Sequence, residues 1–221
     1  MKTSSGQATR VMAMVIVLAL PVLLAFVSAI APMTTGAQGG RADVAGGMLR
    51  PGARLTYGSA AGEQPAWTID SVHQGVSLGG RTGCTRIYMR MPPNQQSPTE
   101  RVLCRGGDTL HAWNATTSAW RATRPLGAGM RLSVPQPSGA VLDYETSAHG
   151  DTMISGHRLA FVRTVITTRD SQGRATRRLT ERYALGLATA LGGVFETPDS
   201  ASAGPWRESQ RFELVRVEIP E

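Results

Sequence analysis

From Arg54 to its last residue the chain reads as short runs of branched and aromatic residues broken by turn dipeptides, and this spacing is its strongest constraint on fold. ARLTYGS, AWTIDSVH, CTRIYMRM, TLHAWNA, AVLDYET, RLAFVRTVITT and RFELVRVEI are of strand length, and Gly, Pro, Asn and Asp punctuate them. In RLAFVRTVITT neither alternating face is cleanly polar, which predicts a strand with neighbours on both sides. RFELVRVEI alternates with one slip near Arg216, the signature of a bulge. A sheet built from so many hairpins has to cover or curl around its apolar face. The expected fold class is therefore mainly β, a single antiparallel β-sandwich or curved half-barrel domain over residues 53–221. Residues 184–194 stay ambiguous: Leu185, Leu187, Ala190 and Leu191 suit a helical stripe, whereas Gly186, Gly192 and Gly193 suit a bend between two strands.

The first part of the chain has a different composition. Lys2 and Arg10 precede an uncharged apolar run over residues 11–31, and no acidic residue occurs before Asp43. That is the layout of an export signal. Small residues at Val27-Ser28-Ala29 and Thr35-Gly36-Ala37 suit cleavage, while a run close to the ~20 residues that span a bilayer also suits an uncut anchor. Residues 1–37 are thus read as a signal peptide or signal anchor, and the Gly-rich residues 38–52 as a flexible lead-in. Export places the domain in the periplasm or outside the cell, held at the membrane through residues 11–31 if the leader stays uncut.

In an oxidising compartment Cys84 and Cys104, the chain's 2 cysteines, read as a disulfide. TRIYMRM and ERVL around PPNQQSPT form a hairpin that brings them together, and closing a loop of this length stabilises the fold by about 3 kcal/mol. Neither cysteine has a Cys-x-x-Cys partner or a nearby histidine, and the other histidines lack metal-ligand spacing, so no metal or other cofactor is expected.

The formal net charge is +7, and apart from Lys2 every cationic side chain is arginine. Such usage follows from GC-rich coding sequence, and the arginines are not interleaved with stacking aromatics, so nucleic acid is not an expected partner. Around Asp170-Ser171-Gln172-Gly173, a predicted turn, Arg163, Arg174, Arg177, Arg178 and Arg182 define a basic hairpin suited to anions such as lipid phosphates, because guanidinium forks grip phosphate in a bidentate manner. The alternative is a solvated arginine-rich surface.

Two further groupings bear on catalysis. Asp143, Glu145, His149 and Asp151 lie close in sequence, and a turn at Ser147 to Gly150 would gather carboxylates around an imidazole; a polar hairpin end in solvent is the plainer reading. Gly75-Val76-Ser77-Leu78-Gly79 has the G-x-S-x-G form of a nucleophile elbow, with His149 or His157 as base and Asp143 or Asp151 as acid. That motif needs a helix after the serine, and Gly80-Arg81-Thr82-Gly83 does not start one. Trp113 and Trp120 flank a turn at NATTS, as cross-strand aromatic partners do.

LRPGARLTYGS, a tryptophan-bearing hairpin and a late ERYALGLATALGGVFET, with Gly52, Tyr57, Tyr183, Gly186 and Gly192 as recurring marks, resemble small secreted bacterial envelope proteins. Several of these are similar to the half-barrel of lipoprotein carrier proteins. The resemblance implies a curved sheet whose concave apolar face covers a helix or a lipid chain. This chain departs from that pattern in having no lipidation cysteine and no clear helix. The expected function is an exported, non-enzymatic β domain that binds a lipid, another hydrophobic ligand or a protein partner of the envelope. The alternatives are a serine hydrolase using Ser77 and a membrane-anchored assembly protein. Nothing in the sequence sets an oligomeric state.

Overall fold

A computed structural model describes residues 45–92, 96–199 and 204–221. Residues 1–37, with their signal or anchor reading, and the first part of the lead-in lie outside the described residues.

The described chain forms one antiparallel sheet. Its strands are β1 (Arg54–Ser59), β2 (Gly62–Glu63), β3 (Trp67–Leu78), β4 (Arg81–Arg90), β5 (Thr99–Gly106), β6 (Thr109–Asn114) and β7 (Ala119–Pro125). They continue as β8 (Arg131–Pro135), β9 (Val141–Ile154), β10 (His157–Arg169), β11 (Ala175–Ala184), β12 (Thr189–Pro198) and β13 (Trp206–Glu218). The spatial order is β7-β6-β5-β4-β3-β1-β13-β12-β11-β10-β9-β8, with the short β2 beside β1. Almost all neighbours are sequential hairpins. The exception is β1, which inserts between β3 and β13 and so joins the two halves of the chain.

The sheet rolls into a nearly closed barrel, because its two ends in this order, β7 and β8, are consecutive in sequence and come together. Across the seam Thr146 Oγ1 donates to the carbonyl of Pro125 at 2.9 Å, and His149 Nε2 lies 2.6 Å from the carbonyl of Leu126. The expected antiparallel β class is observed as this barrel-like sheet, with no helix among the described residues. Residues 184–194 are two strands: β11 and β12 meet at a turn over 185–188, and the Leu187 and Ala188 side chains are buried in the core. The slip near Arg216 is a bulge, since Thr56 faces Arg216 while Tyr57 faces Leu214. RLAFVRTVITT lies between β9 and β11, with neighbours on both sides as expected.

Alternate side chains of the strands face the interior. The main cluster, with Leu55, Ile69, Ile87, Met89, Leu191 and Leu214, occupies one end. A smaller one, Val134, Leu142, Tyr144 and Ile166, occupies the other.

The second half of the lead-in is part of this core. Ala45 and Leu49 are each 1% exposed. The Gly46 amide donates to Leu185 O at 2.6 Å and that of Met48 to Gly186 O at 2.9 Å. A Cβ at Gly46 would stand 2.9 Å from Ile87 Cδ1, and the residue has φ of +82°, so only glycine fits there without strain. The expectation of a flexible lead-in therefore fails for residues 45–52: apolar side chains spaced too irregularly for a strand still plug an apolar opening.

The β9–β10 hairpin adds to the same end. Ser155 and Gly156 have φ of 51° and 80°, the paired positive values of a tight two-residue hairpin loop. The loop extends past the end of β11 and reaches β13, where Ser155 Oγ accepts the Val217 amide at 3.0 Å.

Candidate functional site

The residues singled out from sequence fall at four places on this barrel. Cys84 and Cys104 are disulfide-bonded across β4 and β5, with Cα atoms 4.4 Å apart and a sequence separation of 20. Thr85, Ile87 and Met89 point inward, so the disulfide is on the outer face. Val102, Val76, Leu78, Trp113 and Trp120 cover it. The two indoles meet edge to face with centroids 5.4 Å apart, and Trp120 Nε1 donates to the Leu78 and Gly79 carbonyls at 3.0 and 3.1 Å. The β3–β4 tip is thereby folded back over the disulfide.

The same tip holds Ser77. Gly75 to Gly79 ends one strand and turns directly into the next, so the strand-turn-helix geometry of a nucleophile elbow is absent there. The Ser77 hydroxyl has no hydrogen-bond partner among the described residues.

The carboxylate grouping does not assemble. Ser147 to Gly150 lies inside the continuous strand β9, not in a turn. Asp143 and Asp151 are therefore about 26 Å apart along an extended strand. The reason is pairing: β10 matches β9 residue for residue from Val141 to Ile154 with one bulge, which holds the Gly-containing segment extended. Asp143 bonds Ser133 Oγ at 2.6 Å and Arg169 Nε at 2.7 Å, and these contacts hold its carboxyl below the usual range. Glu145 pairs with Arg131 and Asp151 with Arg158, while His149 turns to Leu126 at the seam.

In the basic hairpin, Asp170 accepts the Gln172 and Arg174 amides at 2.9 Å, as the predicted turn requires. Its arginines are largely paired. Arg174 binds Asp170, Arg178 makes a bidentate pair with Glu196 at 2.8 Å, and Arg182 pairs with Glu213. Arg177 stacks on Phe195 at 4.0 Å, and Arg163 has no ion pair among the described residues. Cross-strand carboxylates from β12 and β13 neutralise Arg178 and Arg182, and the turn's own Asp170 neutralises Arg174.

The most unusual chemistry lies inside the barrel. Along β10 and β11 the inward pairs run Ile166 with Leu179, Thr164 with Glu181, and Val162 with Tyr183. A polar layer therefore separates the two apolar clusters. Glu181 is ion-paired with Arg124, and their side chains are 6% and 13% exposed. Arg124 comes from β7, across the interior, and its guanidinium stacks 3.9 Å from the Tyr183 ring centroid. Burial opposes the Arg124 charge, but Glu181 and Tyr183 outweigh it and hold the guanidinium above its ordinary pKa.

Around this pair stand further polar groups. Tyr57 bonds Thr189 Oγ1 at 2.8 Å and donates to Ala190 O at 2.9 Å. Arg101, on the inward face of β5 with Leu103, donates to Ala188 O at 3.3 Å. Burial raises the Tyr183 phenol pKa and pushes that of Tyr144 to about 12, with Arg124 opposing the shift at both. Among the described residues the Tyr183 hydroxyl, Arg101 Nε and Thr164 Oγ1 are buried with no geometric hydrogen-bond partner.

Arg101, Arg124 and Glu181 were not among the residues marked by sequence. The signal was present in LTERYA, where Glu181 shares a strand face with Leu179 and Tyr183, a charge on an otherwise apolar stripe. For Arg101 and Arg124 no local signal distinguishes them from their outward-facing arginine neighbours.

No protein-family description, no curated protein and no solved structure matches the chain. The class defined by fold and site is an antiparallel, barrel-like β domain with a polar layer in its interior.

Proposed function

We propose that the protein is an exported, non-enzymatic β domain of the envelope or the surrounding medium, and that it binds a lipid or another hydrophobic ligand. The leader pattern over residues 1–37 and the Cys84–Cys104 disulfide support export, because such bonds persist in oxidising compartments. The observation that carries ligand binding is the interior layer of Arg101, Arg124 and Glu181 between two apolar clusters. Buried charges are costly, and hydrophobic replacements of buried pairs are often neutral or stabilising, so a layer with unsatisfied donors is better explained by a bound molecule than by stability. An amphiphile presents its polar part to such a layer and its apolar part to the clusters beside it.

Native mass spectrometry of the protein from its own envelope or culture fluid, with and without reductant, tests the reading. The expected species is a processed, oxidised chain carrying a lipid-sized adduct. A processed chain with nothing bound counts against the ligand and in favour of a protein partner. A full-length mass makes residues 11–31 an anchor. Labelling by a serine-reactive phosphonate that disappears in Ser77→Ala would replace this reading with a hydrolase.

A further inference from the structure

The interior layer is unbalanced in charge. Arg101 and Arg124 bring two guanidinium groups to it, and Glu181 supplies one carboxylate, which is engaged by Arg124. Both cations act on the same phenol, Tyr183, which is 3% exposed. Among the described residues Arg101 is anchored to a backbone carbonyl, that of Ala188, and has no carboxylate partner. Its Nε has no acceptor among the described residues, and the Tyr183 hydroxyl, whose neighbour is Arg101 itself, has none to donate to. These groups converge on one short stretch of backbone: Arg101 at Ala188, Tyr57 at Thr189 and Ala190, and Tyr183 in register with Ala190. A half-buried cation whose Nε is buried with no acceptor, and with no counter-charge among the described residues, is what an oxyanion requires, because a charge-assisted bond to it forms away from competing water.

We propose that Arg101 and Tyr183 form a seat for a single oxyanion, the carboxylate or phosphate head of the bound amphiphile, with Arg124 held beside it by Glu181. The inference rests on the ligand-binding reading above and specifies its chemistry. Arg101 grips the anion with its Nε edge, the Tyr183 hydroxyl donates a further hydrogen bond, and the stack of Arg124 on Tyr183 fixes the ring. Glu181 prevents Arg124 from competing as the principal ligand. The site selects for charge at the head and leaves the tail to apolar contacts.

The test uses the mature, oxidised protein stripped of bound lipid, with oleate, oleyl alcohol and inorganic phosphate as probes in calorimetric titrations. Oleate is expected to bind about tenfold or more tightly than oleyl alcohol. Arg101→Gln should remove that preference, and Tyr183→Phe, which deletes a hydroxyl with no acceptor among the described residues, should weaken oleate about threefold or more while leaving the fold intact. If oleyl alcohol binds as tightly as oleate, or if oleate is unaffected by both substitutions, the oxyanion seat is wrong while hydrophobic-ligand binding stands. If phosphate alone binds, and depends on Arg101, the seat is correct and the anion is a free one, so the lipid reading falls. Binding of none of the three overturns both.

Discussion

The Arg124 guanidinium lies 3.9 Å from the centroid of the Tyr183 ring, although β7 and β11 are far apart in the sheet order. The contact crosses the interior of the barrel and, with the Arg124–Glu181 pair, ties the β7 end of the sheet to the strands beyond the seam. Removing one charge leaves the other buried and unpaired. Glu181→Gln is therefore expected to destabilise the protein by about 3–5 kcal/mol, and Arg124→Met with Glu181→Leu by markedly less than the sum of the single changes. Urea unfolding of the set measures this; additive single effects would show that the pair is not coupled.

The disulfide should act chiefly on the unfolded chain. Replacing Cys84 and Cys104 together by serine is expected to lower stability by about 3 kcal/mol, given a loop of 20 residues. Trp113 and Trp120 cover the bond, so their fluorescence should change on reduction before global unfolding. A guanidinium titration with and without reductant reads both, and an unchanged midpoint would refute the staple.

Gly79 is the residue on which the folded-back β3–β4 tip depends. Its φ is +52°, and a Cβ there would press on the Trp113 ring and stand 2.9 Å from Trp120 Nε1. Gly79→Ala is expected to cost about 1–3 kcal/mol and to reduce the near-ultraviolet circular dichroism of the indoles. Retention of the native near-ultraviolet signal would show that the tip is not packed as described.

His111, on the outer face near Arg81, gives a pH dependence of definite sign. Burial and the Arg81 charge push its pKa from 6.5 to about 4. Above pH 6.5 the imidazole is neutral in both the folded and the unfolded chain, so it has no effect there. Between 6.5 and about 4 only the unfolded chain takes up the proton, and stability falls with pH; below about 4 both forms are protonated and the loss is complete. His111→Gln should flatten unfolding midpoints across that window, and an unaltered profile would exclude His111 as the source.

Leu49 tests the plug. It is 1% exposed and belongs to the main core although it precedes every strand. Leu49→Ala is expected to cost about 2–5 kcal/mol. A chain beginning at residue 54 should be less stable than one beginning at residue 45, whereas equal thermal midpoints would make the segment dispensable.

Much of this architecture was legible in the chain. The alternation of branched residues with turn dipeptides determined an antiparallel sheet of hairpins, because side chains on a pleat alternate between faces and only a few residues permit tight reversals. The one-residue slip in RFELVRVEI determined the bulge opposite β1, and the sequence DSQG determined the β10–β11 turn, whose carboxylate satisfies the amides of that reversal. The cysteine spacing, read with the export pattern, determined the disulfide. What only the tertiary structure decided is which charges meet. Arg178 finds Glu196 and Arg182 finds Glu213 on strands that come later in the chain, and these pairs neutralise part of the basic hairpin. Residue-for-residue pairing with β10 kept Ser147 to Gly150 extended and scattered the carboxylates expected to gather there. Rolling of the sheet turned Arg101 and Arg124 inward, placed Arg124 against Tyr183 and Glu181, and drew Leu49 into the open end. Closure of a barrel depends on the register and twist of every strand at once, so no local stretch of sequence records which arginine ends up inside.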